Sequence, residues 1–199
     1  IETDIPLYLE KIKELKGDLP IHWVAHSWGG VVILAYLAQH PESVKKTLSM
    51  VFFATKRKVK FNSFKKMWTI RILWDKLARL AIRQKGFFDA KRLKAGSDNE
   101  TKRIFEESTK WVKSKKWLHW YSKFDFAAAL KKQQLPPTLN LIGAEDKVLC
   151  HPQDIEMLIK ETGAKNHTYE VIGKVSGFKN DYGHNDILSH PDAEKEVYP

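Results

Sequence analysis

Apolar and polar residues follow two periods along this chain, and the change from one to the other marks its elements. In "DIPLYLEKIKELK" the residues Ile5, Leu7, Leu9, Ile12 and Leu15 recur at helical spacing, which predicts an amphipathic helix over about 3–16. Gly17 and Pro20 interrupt the pattern. "IHWVA" then reads as a short strand. After a glycine turn, "VVILAYLAQH" is so nearly all apolar that it predicts a buried helix, stopped by Pro41. "TLSMVFFAT" predicts a buried strand, and "TLNLIGA", entered through Pro136 and Pro137, predicts another. A helix near 152–161, a strand in "HTYEVI" and a last helix after Pro191 complete the series. Strands that alternate with helices in this way predict an α/β fold with a mostly parallel sheet.

The middle of the chain breaks this rhythm. In "FKKMWTIRILWDKLARLAIRQ", Ile70, Leu73, Trp74, Leu77, Leu80 and Ala81 line one helical face while Arg71, Lys76, Arg79 and Arg83 take others. A second helix is expected from Ser97, with Glu100 completing a capping box and Ile104, Ser108, Trp111 and Val112 on one side. Charge sharpens the picture. Residues 56–132 hold 23 Lys/Arg against 7 Asp/Glu, a net of +16, and five of the seven tryptophans. The rest of the chain has 11 against 17, a net of −6. The reading is an acidic core in two parts, 1–55 and 134–199, interrupted by a basic helical insertion at 56–133. With 199 residues the chain can bury one sizeable core. Its single cysteine, Cys150, excludes an internal disulfide and points to a reducing, cytoplasmic compartment. No apolar run is long enough to span a membrane. The chain starts without Met, inside its first amphipathic segment, and reads as a piece of a longer protein.

Three short stretches carry candidate chemistry. In "AHSWGG", Ser27 sits between a strand and an apolar helix, with small residues two before and two after. That setting suits a strained turn that exposes a serine hydroxyl above the sheet edge, with the Trp28 N–H and the helix dipole available to a developing oxyanion. "GAEDKVL" places Asp146 just past a strand, and "GHNDIL" places His184 in a loop after the last strand. Ligand-facing residues of α/β sheets lie at such carboxyl ends. His26 and Trp28 flank the serine and are expected to shape a substrate pocket. Asp181 and Asp186 flank His184 and could replace Asp146 as its partner, although neither ends a strand. His22, His40, His119, His151, His167 and His190 show no metal-ligand spacing, and Cys150 reads as a small buried residue. No metal or cofactor is implied.

With these motifs in the order Ser, Asp, His, the chain resembles the α/β-hydrolase superfamily, of the lipase/esterase-like kind with a helical cap. The resemblance runs from residue 3 to 195, though the insertion matches in position only. It implies Ser27 as nucleophile, His184 as base and then acid, and Asp146 as the group that orients the imidazole. The substrate it implies is a small ester or lipid. Two departures stand out. Ala25 replaces the usual first Gly. The strands that normally precede the first helix, and the loop that gives a second oxyanion donor, have no counterpart before Ser27. A proline-iminopeptidase-like aminopeptidase is the rival enzyme, but the basic insertion disfavours a cationic substrate. A silent binding module is the rival outside enzymes. Trp68 and Trp74 on a basic helix would suit contact with an anionic membrane. Nucleic acid is disfavoured because no recognised binding motif is present.

Overall fold

The computed structural model describes residues 1–59, 78–92 and 98–198. It divides into two compact units, one of Ile1–Val59 with Trp117–Pro199 and the other of Lys60–Lys116.

In the first unit the chain runs α1 (Asp4–Lys16), β1 (Ile21–His26), α2 (Trp28–Gln39), α3 (Pro41–Lys46) and β2 (Thr47–Phe53). The second unit contains α4 (Ala78–Lys85), β3 (Phe87–Phe88), β4 (Glu100–Thr101) and α5 (Lys102–Lys113). The chain then rejoins the first unit with α6 (Phe126–Lys131), β5 (Thr138–Gly143), α7 (Pro152–Thr162), β6 (His167–Ile172), α8 (Asp186–Ser189) and α9 (Ala193–Glu196). Among the described residues, β1, β2, β5 and β6 form one sheet in that order, and every pairing is parallel. This is the α/β sheet that the alternation of elements predicts.

The core explains why α2 is apolar almost throughout. Val31, Leu34, Ala35, Tyr36, Leu37 and Ala38 are all buried, and the helix packs against β1 and α6. Gln133 donates to the carbonyls of Leu37 and Ala38, satisfying acceptors that the helix end leaves open. This last contact also shows why 117–133 belongs with the sheet, although its charge groups it with the insertion. Trp117, Phe126 and Leu130 are fully buried in the first unit. A further cluster of Phe53, Leu141, Ile172, Tyr182 and Ile187 ties the sheet to the loop after β6 and to α8. The second unit has its own small core of Ala78, Ile82, Phe88, Ala90 and Phe105.

Several sequence expectations shift. Pro41 ends one helix but also opens α3, since proline fits the first turn, where its missing N–H is not needed. The cap of α5 is Thr101, whose Oγ1 accepts from the Ile104 N–H at 3.3 Å, and Ser97, expected to open this helix, lies outside the described residues. Glu100 instead pairs with Phe88 in β4. The expected apolar face of α1 is not buried: Leu7, Ile12 and Leu15 are exposed. Local terms support this helix, with Asp4 in its first turn, Lys13 and Lys16 in its last, and a Lys11–Glu14 pair. Most of the expected helix through Ile70, Leu73 and Trp74, with Trp68, lies outside the described residues. No helix among the described residues is long and apolar enough to cross a membrane.

Candidate functional site

The parallel registers bring the carboxyl ends of the strands to one edge: His26 lies beside Phe53, Phe53 beside Leu141, and Gly143 beside Ile172. Ser27 follows β1 directly and occupies the position just before α2, where its side chain makes no capping bond. Its φ of +52° and ψ of −117° are unusual for a residue with a side chain. Such a conformation is strained and persists only where its surroundings enforce it. They do so here. The Ser27 N–H donates to the Phe53 carbonyl at 2.7 Å, and Thr55 Oγ1 donates to the Ser27 carbonyl at 3.0 Å.

Asp146 follows β5 in a tight turn, its N–H bonded to the Gly143 carbonyl. One carboxylate oxygen accepts from the Leu149 and Cys150 N–H groups at 3.0 and 2.9 Å. The other is 2.5 Å from His184 Nδ1. Cys150 is fully buried beside Ala54, Ile142 and Ile155, as a small apolar residue would be. His184 Nε2 lies 2.9 Å from Ser27 Oγ. A carboxylate can only accept, so Nδ1 is the donor to Asp146, and in the neutral imidazole this leaves the Nε2 lone pair facing the serine hydroxyl. The Asp146 side chain is 2% exposed and that of His184 12%, so their bond is shielded from water while the imidazole edge is still reachable.

Glycines permit this convergence. A Cβ on Gly143 would lie 2.2 Å from the Tyr182 carbonyl oxygen, so only glycine lets the loop carrying His184 pass the end of β5. The Glu145 N–H then joins the two loops by donating to that same carbonyl at 2.9 Å.

The remaining candidates separate clearly. Asp181 accepts from the Lys174 N–H and Asp186 begins α8, whereas His184 takes Asp146 as its carboxylate partner. His26 sends Nε2 to the His184 carbonyl oxygen at 2.9 Å, and the two rings lie 4.8 Å apart. Burial holds the His26 imidazole below its ordinary pKa, and its bond to that carbonyl opposes the shift. Trp28 is the first residue of α2, half-buried, at the positive end of the helix dipole. Sequence reasoning did not single out Thr55 or Asn140. Both are fully buried, and both bond to the turn that holds Ser27 or to its neighbours. An asparagine in the middle of the apolar strand "TLNLIG" was the available signal.

A parallel sheet flanked by helices, with a serine on a strained strand-to-helix turn, defines a member of the α/β-hydrolase superfamily. Residues 1–175 match the family described as serine aminopeptidase, S33, and the chain belongs to it. No curated protein matches the chain. Solved structures that share its fold include the following three. BpoC from Mycobacterium tuberculosis H37Rv is 16% identical with a TM-score of 0.51, over 98% of this chain and 71% of that one. The 2-hydroxy-6-oxo-6-phenylhexa-2,4-dienoate hydrolase of Rhodococcus sp. strain RHA1 is 18% identical with a TM-score of 0.51, over 97% and 68%. The esterase domain of a Rhodothermus marinus protein is 12% identical with a TM-score of 0.51, over 96% and 61%. The chain thus spans between 61% and 71% of the length of these structures.

Proposed function

We propose that the protein is a serine hydrolase that cleaves carboxylic esters through an acyl-enzyme. The observation that carries this reading is the unbroken hydrogen-bonded series from Ser27 Oγ through His184 to Asp146, at the carboxyl edge of the sheet. His184 Nε2 takes the Ser27 proton as Oγ attacks the ester carbonyl carbon. Asp146 holds the tautomer and stabilises the imidazolium that forms. The carbonyl oxygen becomes an oxyanion, which the Trp28 N–H and the α2 dipole stabilise. Collapse expels the alcohol, which takes the proton from His184. Water then repeats the sequence on the acyl-enzyme and releases the acid. In this reading the substrate is a small ester or lipid with an apolar acyl group.

The family's description favours a second reading, an aminopeptidase that uses the same three residues on an N-terminal amide. The net charge of +16 over residues 56–132 weighs against a substrate with a free ammonium group.

A fluorophosphonate probe on the full-length protein tests the chemistry, and paired substrates test the class. Ser27 should be labelled, and Ser27→Ala should abolish both labelling and hydrolysis of p-nitrophenyl esters. Faster cleavage of aminoacyl p-nitroanilides than of esters would favour the aminopeptidase. A wild-type chain that takes up no probe would make the protein a binding module.

A further inference from the structure

Thr55 lies on the loop after β2, outside the Ser27–His184–Asp146 series, yet it is tied to the serine more tightly than packing requires. Its side chain is fully buried, and Oγ1 donates to the Ser27 carbonyl oxygen at 3.0 Å. Its own backbone is held at both ends by one buried side chain. Asn140 Nδ2 donates to the Thr55 carbonyl at 3.0 Å, and Asn140 Oδ1 accepts from the Thr55 N–H at 3.4 Å. The preceding residue, Ala54, has φ of +51° and sends its N–H to the Leu141 carbonyl at 2.8 Å. The loop is therefore strained and pinned where Thr55 leaves β2. Gly30 completes the seat, because a Cβ there would stand 2.3 Å from Thr55 Oγ1.

The peptide group explains what this achieves. The Ser27 carbonyl and the Trp28 N–H belong to one planar trans unit, so they point in opposite directions and rotate together. A donor fixed on the carbonyl oxygen sets the direction of the N–H. It also polarises the unit, which makes the N–H a stronger donor.

We propose that Thr55 is a positioning residue. Its hydroxyl, aligned by Asn140, fixes and polarises the Ser27–Trp28 peptide so that the Trp28 N–H is aimed at the oxyanion of the acyl-transfer transition state. This rests on the reading of the site as a serine hydrolase. Oxyanion charge is largest in the transition state, so the contribution falls on kcat and leaves KM unchanged.

The test is steady-state hydrolysis of a p-nitrophenyl ester by Thr55→Val, Thr55→Ser and Gly30→Ala, each checked for folding by thermal melt. Thr55→Val keeps the shape and removes the donor, and kcat should fall about tenfold or more at unchanged KM, within the ~10²–10³ of a lost oxyanion donor. Thr55→Ser restores a hydroxyl and should recover most of that loss. Gly30→Ala displaces the hydroxyl from the opposite side and should lower kcat alone, which keeps the test open if the valine variant does not fold. Unchanged kcat in Thr55→Val, a change confined to KM, or no recovery with serine would overturn the role. A wild-type chain with no turnover and no phosphonate labelling would overturn the hydrolase reading, and this role with it. Normal wild-type labelling with an equally active valine variant would overturn the role alone.

Discussion

At the scale of single residues, the site depends on what each side chain is permitted to do in its surroundings. Ser27 holds a backbone conformation that serine seldom adopts, and its bond to the Phe53 carbonyl together with the bond from Thr55 enforces it. His184 has one nitrogen committed to a carboxylate and the other turned to a hydroxyl. His167 shows the opposite case. It is buried at the start of β6, and among the described residues its Nε2 has no hydrogen-bond partner. Burial lowers its pKa from the ordinary 6.5 to about 4. Between those values the unfolded chain binds a proton that the folded chain does not, so stability rises with pH across that window. The contribution is fully present above about 6.5, is lost progressively as pH falls, and levels off below about 4. It amounts to roughly 3 kcal/mol at most by the linkage relation. In urea melts at a series of pH values, His167→Leu should flatten the loss of stability between pH 6.5 and 4, compared with wild type. Parallel curves would show that His167 is not the group that titrates.

At the scale of elements, the candidate residues lie in loops but are positioned by strands. The turn after β5 carries Asp146 and the loop after β6 carries His184, and the two meet because Gly143 leaves room for the Tyr182 carbonyl. Gly143→Ala would force a methyl group to within 2.2 Å of that oxygen. Such overpacking typically costs about 1–3 kcal/mol, and more where backbone must move. The expected outcome is a lowered melting temperature together with at least a tenfold loss of esterase activity, because the displaced loop carries His184. An intact melting curve with full activity would contradict the close approach. Element boundaries were readable where a residue has one dominant physical effect. "HTYEVI" is the strand over its whole length. They were read only in part where two effects compete. Pro41 both terminates and initiates a helix, and Ser97–Glu100 has the letters of a capping box while Thr101 makes the cap.

At the scale of the whole molecule, apolar spacing and burial part company. Leu34 on α2 is 1% exposed and Leu15 on α1 is 68% exposed, although both are apolar positions of helices that the sequence predicts. Leu34→Ala should destabilise by about 2–5 kcal/mol, as large-to-small core changes do. Leu15→Ala should change stability by less than about 0.5 kcal/mol, as surface changes do. Denaturant titrations of the two variants would check the contrast, and comparable losses would mean that α1 is buried in solution. The charge division along the chain has the same character. Residues 60–116 form one compact unit, while the buried Trp117, Phe126 and Leu130 belong to the other, although charge groups them with the basic segment.

Local chemistry was therefore enough to indicate the alternation of strands and helices that builds the parallel sheet, and Ser27, Asp146 and His184 as candidates, but not the short elements α3, α6, β3 and β4. Periodicity, glycine and proline punctuation, and side-chain identity all act within a few residues of each other. Tertiary structure decided which carboxylate meets His184, since Asp146 lies 38 positions away while Asp181 and Asp186 are near neighbours. It also decided that Leu7 and Leu15 of α1 stay exposed, and that Thr55, on the loop after β2, and Asn140, in β5, support the serine. Contacts of that kind join residues as much as 158 positions apart, as His26 and His184 are, and no local pattern records which pairs the fold will close.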